Sequence, residues 1–511
     1  MKLRLPQRRA WRVAIYLGAL LLVAVAVDLV VADARRSVRP GFMTTRIVQP
    51  RMADGSVDYA AALDQYFAQG VTPQDNAVIP LLQALGRQAL ATNQPPDAVT
   101  TALGMPPLPE AGEYFVAYGD FMRIQARPAT REAVELELPQ GFTYPAEVTP
   151  DVARWAKAND AALTKIVEAT RRPRFYIPLF AGSRPLTLIE TQLRHVKPLK
   201  EAGHALHARA IARLNEGDGA GFVADALALH RLARLLSQAS TMVERIVGMS
   251  IETAAARLTQ RAAQSGKLAP QQARQLIDGL EALGPVPTYV DTIDRSERNL
   301  GLDVVQALSK LPPTEAGRLL NKIDTRHTLP AWTFRFLPIP YERTMREMNQ
   351  AYDGMIAAAR QRNYPERMAT LSLWSIEVDR EVQGGGYLNL LSADWAISLL
   401  LPMLQKATTT LESARMEYNL ARVALSLAAF KAERGAYPAT LAELSPAYLR
   451  EVPIDTFFEK PLSYARTANG YTLRSAGPNM KDEGGAGDDL AIETRPANAT
   501  TETSSTGPAR S

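Results

Sequence analysis

The chain has 511 residues, 46% hydrophobic and 22% charged, with a formal net charge of +5 and no cysteine. That length accommodates two to four domains with ordinary packed cores, and the missing cysteines exclude disulfides, thiolate metal sites and cysteine nucleophiles. Lys2, Arg4, Arg8, Arg9 and Arg12 are enough to account for the net charge, so the body is near neutral and gives no basis for nucleic-acid binding.

Residues 13–32 form an apolar span interrupted only by Asp28, just after the basic residues of segment 1–12. At about 1.5 Å per residue this span crosses a bilayer core of roughly 30 Å. The basic side stays in the cytoplasm, which predicts a single-pass anchor in a bacterial inner membrane with a periplasmic body. The competing reading is a signal peptide cleaved at Ala32-Asp33-Ala34, and it exports the same body.

From residue 45 to residue 383 the pattern is mainly helical, with proline-rich connections. Tyr59, Ala62, Leu63, Tyr66 and Phe67 recur at helical spacing, and a second apolar helix is expected over residues 77–90. Residues 103–150 carry seven prolines, from Pro106 to Pro150, and read as a connector with a short strand at 133–138. Thr149-Pro150-Asp151 opens the next helix, with proline in its first turn, and Arg172-Pro173-Arg174 breaks it. Another helix is expected to begin near Leu186. Residues 200–283 read as helical hairpins packed side by side, turning at Glu216-Gly-Asp-Gly219, without a sustained 34-residue register. A helix over 341–360 places Met345, Met348, Tyr352, Met355 and Ile356 on one core-facing side, and Gly384-Gly-Gly386 reads as a flexible joint.

The last unit spans residues 390–495. Its long helix covers about 392–434 and ends at Gly435, and Thr440-Leu-Ala-Glu443 is a capping-box pattern. Asn469-Gly470 joins two alternating strands into a hairpin, with Leu462 and Tyr464 on one and Tyr471 and Leu473 on the other. A glycine-rich loop follows, holding Ser475, Asn479, Asp482, Glu483, Asp488 and Asp489. It reads either as a solvated acidic loop or as oxygen ligands for a hard ion such as Ca²⁺. The tail 496–511 lacks apolar side chains to bury and is expected to be disordered. The predicted fold class is therefore mainly α: a transmembrane helix, a helical-hairpin body and a small C-terminal α+β unit.

Several segments of the last unit carry a resemblance: Ala428-Ala-Phe-Lys-Ala-Glu-Arg-Gly-Ala-Tyr-Pro438, Val452-Pro-Ile-Asp455, Lys460-Pro-Leu-Ser-Tyr464 and Gly470-Tyr-Thr-Leu-Arg-Ser-Ala-Gly477. Together they resemble the globular domain of the major pseudopilin of type II secretion systems (protein G), over about 75 of the 511 residues. The resemblance implies a small antiparallel sheet and a calcium loop. Its ligand set falls on Ser475, Asn479, Asp488 and Asp489, with Asp482 beside them and a backbone carbonyl at or near Leu473. Asn479 replaces an acid of the family pattern, and Thr456 stands where the family has proline. The chain lacks the pilin-type N-terminus, which argues against polymerisation into a filament. The whole chain also resembles a group of large bacterial envelope proteins, through Trp155-Ala-Lys-Ala-Asn159, Arg172-Pro-Arg-Phe-Tyr176 and the turn ending at Pro438. That group lends no activity.

No established catalytic motif is present. Of the five histidines (His195, His204, His207, His230 and His327), His204 and His207 share one helix face and His230 lies on the returning helix, a thinkable metal cluster with Asp225 or Glu216 beside the plainer and favoured reading of polar helix faces. Asp291, Asp294 and Glu297 alternate with Arg295 and Arg298 and read as a solvated, salt-bridged face. Trp155, Trp332, Trp374 and Trp395 are dispersed and form no sugar platform. The sequence thus favours a non-enzymatic structural or interaction protein in the envelope, with envelope or secretion-system proteins as partners and Ca²⁺ as a structural ion. Its alternatives are an exported metal-dependent hydrolase using His204, His207 and His230, and a helical peptide-binding scaffold with a groove across residues 200–283.

Overall fold

A computed structural model of the chain describes residues 38–90, 96–124, 148–179, 188, 193–323, 330, 340–385, 394–468 and 470–494. The expected anchor at 13–32, the strand at 133–138, the start of a helix near Leu186 and the tail 496–511 lie outside these residues. Among the described residues no helix is long and apolar enough to cross a membrane.

The chain is mainly helical with a small C-terminal antiparallel sheet. The N-terminal helices are α1 (Tyr59–Ala68), α2 (Val78–Leu85), α3 (Pro96–Ala102), α4 (Tyr118–Ile124), α5 (Pro150–Ala158) and α6 (Asp160–Ala169). Asp58 caps α1 by accepting the Ala61 N–H at 2.9 Å, and Thr149 caps α5 ahead of Pro150. Helix α4 falls inside the segment expected to be a bare connector. Its Tyr118, Phe121 and Met122 are buried at helical spacing, and Tyr118 and Phe115 meet the Trp155 ring edge-on.

The expected hairpins follow as α7 (Val196–Glu216), α8 (Gly219–Leu236), α9 (Met242–Ser265) and α10 (Pro270–Leu283). Gly217 ends α7 in the left-handed region, and Asp218 caps α8 on the Gly221 N–H at 2.9 Å. Thr241 and Glu244 close a capping box at the start of α9. Beyond α10 a single turn runs into a π-helical turn, Ile293–Glu297, and on into α11 (Arg298–Lys310). This overturns the solvated reading for Glu297 and Arg298, whereas Asp291 and Arg295 are exposed and the expected salt bridging is present. Glu297 is buried and accepts the Met242 N–H at 3.0 Å, and fully buried Arg298 reaches Asp294 at 2.9 Å and Asp353 at 2.6 Å. The extra π residue turns these charges inward, against α9 and the methionine-lined helix.

Helix α12 (Pro313–Ile323), α13 (Tyr341–Ala359), α14 (Tyr364–Gly385) and the 41-residue α15 (Asp394–Arg434) complete the helical part. The methionine stripe of α13 is buried as expected. Gly384 and Gly385, expected in a joint, continue α14 instead. Each glycine costs a helix about 1 kcal/mol, and packing of α14 along α15 and α13 offsets it.

Helix α15 is about 60 Å long. It lies along α9, α10 and α14, and Leu420, Ala421, Val423, Ala424, Leu425 and Leu427 are all fully buried. Polar groups within the buried stretch of this helix must find partners. Glu417 takes Arg257 at 2.7 Å and Gln260 at 2.8 Å, and the Tyr418 hydroxyl donates to the Leu280 carbonyl. Beneath Tyr418, the Glu252 carboxylate holds His230 at 2.7 Å and Arg234 at 2.9 Å, and Arg234 stacks 4.8 Å over the Tyr418 ring.

The sheet follows Gly435. Residues Ile454–Asp455 (β1) and Lys460–Pro461 (β2) form one short pair, and Ser463–Arg466 (β3), Tyr471–Ser475 (β4) and Leu490–Glu493 (β5) a three-stranded antiparallel sheet with β4 in the middle. Tyr464 pairs with Leu473, and Leu473 with Ile492. Asn469 lies outside the described residues. Tyr471, Leu473 and Ser475 face the core, and one continuous hydrophobic cluster runs from Val57 to Ile492.

Glu252→Ala strands a buried guanidinium and a buried imidazole. Loss of one partner of a buried pair costs about 3–5 kcal/mol, so chemical denaturation should give a clearly lowered midpoint. An unchanged midpoint would mean that this network does not hold α8 and α9 beneath α15.

Candidate functional site

The acidic loop, residues 476–489, joins β4 to β5, so both its ends are fixed by one sheet. Gly477 starts it at φ +67°, and a Cβ there would lie 2.2 Å from the Asp488 carbonyl oxygen, so the return of the loop onto its own start requires glycine. Asp455 anchors the entrance from outside. It is buried, and its carboxylate accepts the Phe457 N–H at 2.9 Å and the Ala476 N–H at 2.8 Å. Tyr364, at the start of α14, donates to the Pro478 carbonyl at 3.3 Å.

Within the loop, ligand-capable oxygens of Glu483, Asp488 and Asp489 all lie within 4.8 Å of one another. Among the described residues this is the one such group of three or more histidine or acidic side chains. Three carboxylates at this spacing repel one another, and backbone donors hold them there. Asp489 Oδ2 accepts the Glu483 N–H at 2.9 Å and the Gly485 N–H at 2.8 Å, and Asp488 Oδ2 accepts the Asn479 N–H at 2.8 Å. Asp489 Oδ1 is buried with no hydrogen-bond partner, as is the hydroxyl of buried Ser475 at the end of β4. Hard oxygen donors left unsatisfied beside a carboxylate group suit Ca²⁺.

The structure places the other expected ligands differently. Asp482 is outside the group, with its carboxylate turned back on the Gly484 N–H at 3.0 Å. The Asn479 amide oxygen accepts the Lys481 N–H at 2.7 Å, and its amide nitrogen donates to Glu483 at 3.1 Å. Asn479 therefore braces the carboxylates. Leu473 sits in mid-strand with its side chain in the core, paired on both sides. Glu483 is the residue that the expected ligand set left out, although it lies among the same loop oxygens. Asp455 was marked by the Val452-Pro-Ile-Asp segment, and its capping role needs the fold to be seen.

The histidine cluster weighed as an alternative is not assembled among the described residues. His204, His207 and His230 form no metal-ligand group with one another, Asp225 or Glu216. His230 is held by Glu252 and, at 3.4 Å, by Thr259, and buried Asp225 binds Arg209 at 2.7 and 3.0 Å. His195 Nε2 lies 2.7 Å from buried Glu244, and His327 is outside the described residues. The face that a groove across residues 200–283 would need on α9 and α10 is covered by α15. A scan against models of known protein families finds no match, and neither the curated proteins nor the solved structures offer one.

Burial lowers the pKa of His204 to about 4 and that of His207 to about 3, with the nearby Lys200 and His204 charges adding to it. The unfolded chain, with ordinary histidines near 6.5, takes up these protons first. Stability from this pair is therefore full above about pH 6.5 and falls as pH drops toward 4, by roughly 2 kcal/mol per side chain at pH 5. Denaturant midpoints at pH 7.5 and pH 5 should show this fall, and H207L should remove about half of it. An equal loss in H207L would place the acid sensitivity elsewhere.

Proposed function

We propose that this chain is a non-enzymatic structural or interaction protein of the bacterial envelope. Residues 13–32 anchor it, the helical body stands on the outer side of the inner membrane, and the C-terminal α+β unit is pseudopilin-like. Ca²⁺ is its structural ion, bound by the Glu483, Asp488 and Asp489 carboxylates with Ser475 in reach of the same loop. The ion would neutralise carboxylates that otherwise repel and would lock the β4–β5 connection.

The observation that carries the reading is the group of three carboxylates with a buried, unpartnered oxygen on Asp489. The order of elements supports the pseudopilin-like assignment: a long helix, a capped turn, an antiparallel hairpin, an acidic loop and a closing strand. The anchor rests on the apolar span and its basic flank. The partners of such a unit would be envelope or secretion-system proteins that dock on it.

Thermal melting of the full chain in Ca²⁺ and in chelator tests the ion. At 100 times its Kd the ion should add about 2.7 kcal/mol, and Asp489→Asn should remove the shift. Identical midpoints with ion and with chelator would refute the calcium loop. Mg²⁺ at equal concentration should shift the midpoint far less, because the smaller ion demands octahedral geometry and sheds water reluctantly.

A further inference from the structure

A cavity of about 440 Å³ opens where the turn between α13 and α14 meets α15. Its charged lining is Arg360 and Arg362 from that turn, Arg367 of α14, Glu412 and Arg415 of α15, and Asp291 before the π-helical turn. Four guanidinium groups therefore face two carboxylates. Moreover, one oxygen of buried Glu412 serves two of them, with Arg367 Nη2 at 2.5 Å and Arg415 Nη1 at 3.5 Å. Arg360 and Arg362 enter no ion pair among the described residues. Asp291 also faces Arg245 on the other side of its turn, so its charge is shared.

The cationic wall is built rather than loose. Arg367 is itself buried, and its Nη1 donates to the Gln361 carbonyl at 3.0 Å and the Arg362 carbonyl at 3.2 Å, which fixes the turn that carries Arg360 and Arg362. Arg415 donates Nε to the Val286 carbonyl at 3.2 Å, which leaves its Nη2 unspent among the described residues. Burial holds Arg415 below the usual arginine range, so the fold bears a cost to keep this charge here. Surplus positive charge in a partly enclosed recess is stabilised by an anion that replaces the missing carboxylates. The rest of the lining mixes polar Thr288, Gln361 and Thr408 with Tyr289, Val290, Ala359 and Leu411. Several guanidinium forks around a small space match the oxygens of phosphate.

We propose that this cavity binds the phosphate group of a small molecule. Arg360, Arg362 and Arg415 contact the phosphate oxygens, and Arg367 is the positioning residue that holds the turn. The ligand is a free phosphate monoester or the monoester headgroup of a lipid such as phosphatidic acid, since both present the same dianion. The site is independent of the ion loop and stands or falls separately from it.

The test is calorimetry and thermal melting of the full chain in detergent. The probes are inorganic phosphate, glycerol 3-phosphate and short-chain dihexanoyl phosphatidic acid, with acetate and chloride as controls at matched ionic strength. At least one phosphate probe should bind saturably and raise the midpoint, and the double variant R360Q/R362Q should bind at least tenfold more weakly. Both arginines are exposed, so the unliganded variant should melt within a few degrees of the parent. Binding of glycerol 3-phosphate as tight as that of the lipid identifies a free ester. Binding confined to phosphatidic acid identifies a headgroup. Equal binding of acetate, full affinity in R360Q/R362Q, or midpoint shifts no larger than chloride gives would overturn the proposal.

Discussion

Burial of the middle of α15, over most of the stretch from Leu404 to Phe430, is the constraint on which the rest of the structure depends. Glu412 and Glu417 lie in that stretch, and a carboxylate removed from water costs several kcal/mol unless it is paired. Glu412 is met by Arg367 and Arg415, and Glu417 by Arg257 and Gln260. These pairs reach to α14 on one side and α9 on the other. They set the rotation and height of α15 against both, because a shift of one residue would turn each carboxylate by about 100° away from its partner. Apolar packing supplies the attraction, and the ion pairs choose one register.

That register also places both candidate sites. Glu412 and Arg415 bring the arginine cavity to the middle of α15, beside the turn that Arg367 fixes. Toward its C-terminus, α15 carries the sheet, through Leu444, Tyr448 and the core face of β4. Tyr364 then couples the two regions. It lies on the same helix as Arg367, it meets Phe457 edge-on at 4.9 Å, and it donates to the Pro478 carbonyl of the acidic loop. The loop is thus seated on the helical body as well as on its own sheet.

Much of this was legible in the sequence. Helical spacing predicted α7 to α10, the methionine stripe and the long final helix, because each buries a continuous apolar face, whereas α5 and α6 read as one helix and are divided at Asn159. The hairpin was legible from alternation around Asn469-Gly470. What was not legible depends on partners far along the chain. Glu297 and Arg298 sit among charges and look solvated, yet a π-helical turn directs them inward, and no local pattern announces that extra residue. Gly384 and Gly385 look like a joint, yet packing of α14 outweighs their low propensity. Strand β5 was overlooked because only Leu490 and Ile492 mark it, between an acidic loop and a polar tail.

The candidate loop shows the same division. Composition located its oxygens, but which of them converge depends on backbone donors that a sequence does not display. Asp482 and Glu483 are adjacent and chemically alike, yet a local turn takes the first and leaves the second facing Asp488 and Asp489. The histidines make the complementary point. Their spacing suggested a metal cluster, but a ligand nitrogen must have a free lone pair, and His230 has both ring nitrogens engaged, by Glu252 and Thr259. Residue type and spacing therefore mark where chemistry is possible. Hydrogen bonds already made decide which groups are left to do it, and among the acids of the loop that leaves the side where Asp489 has an oxygen unspent.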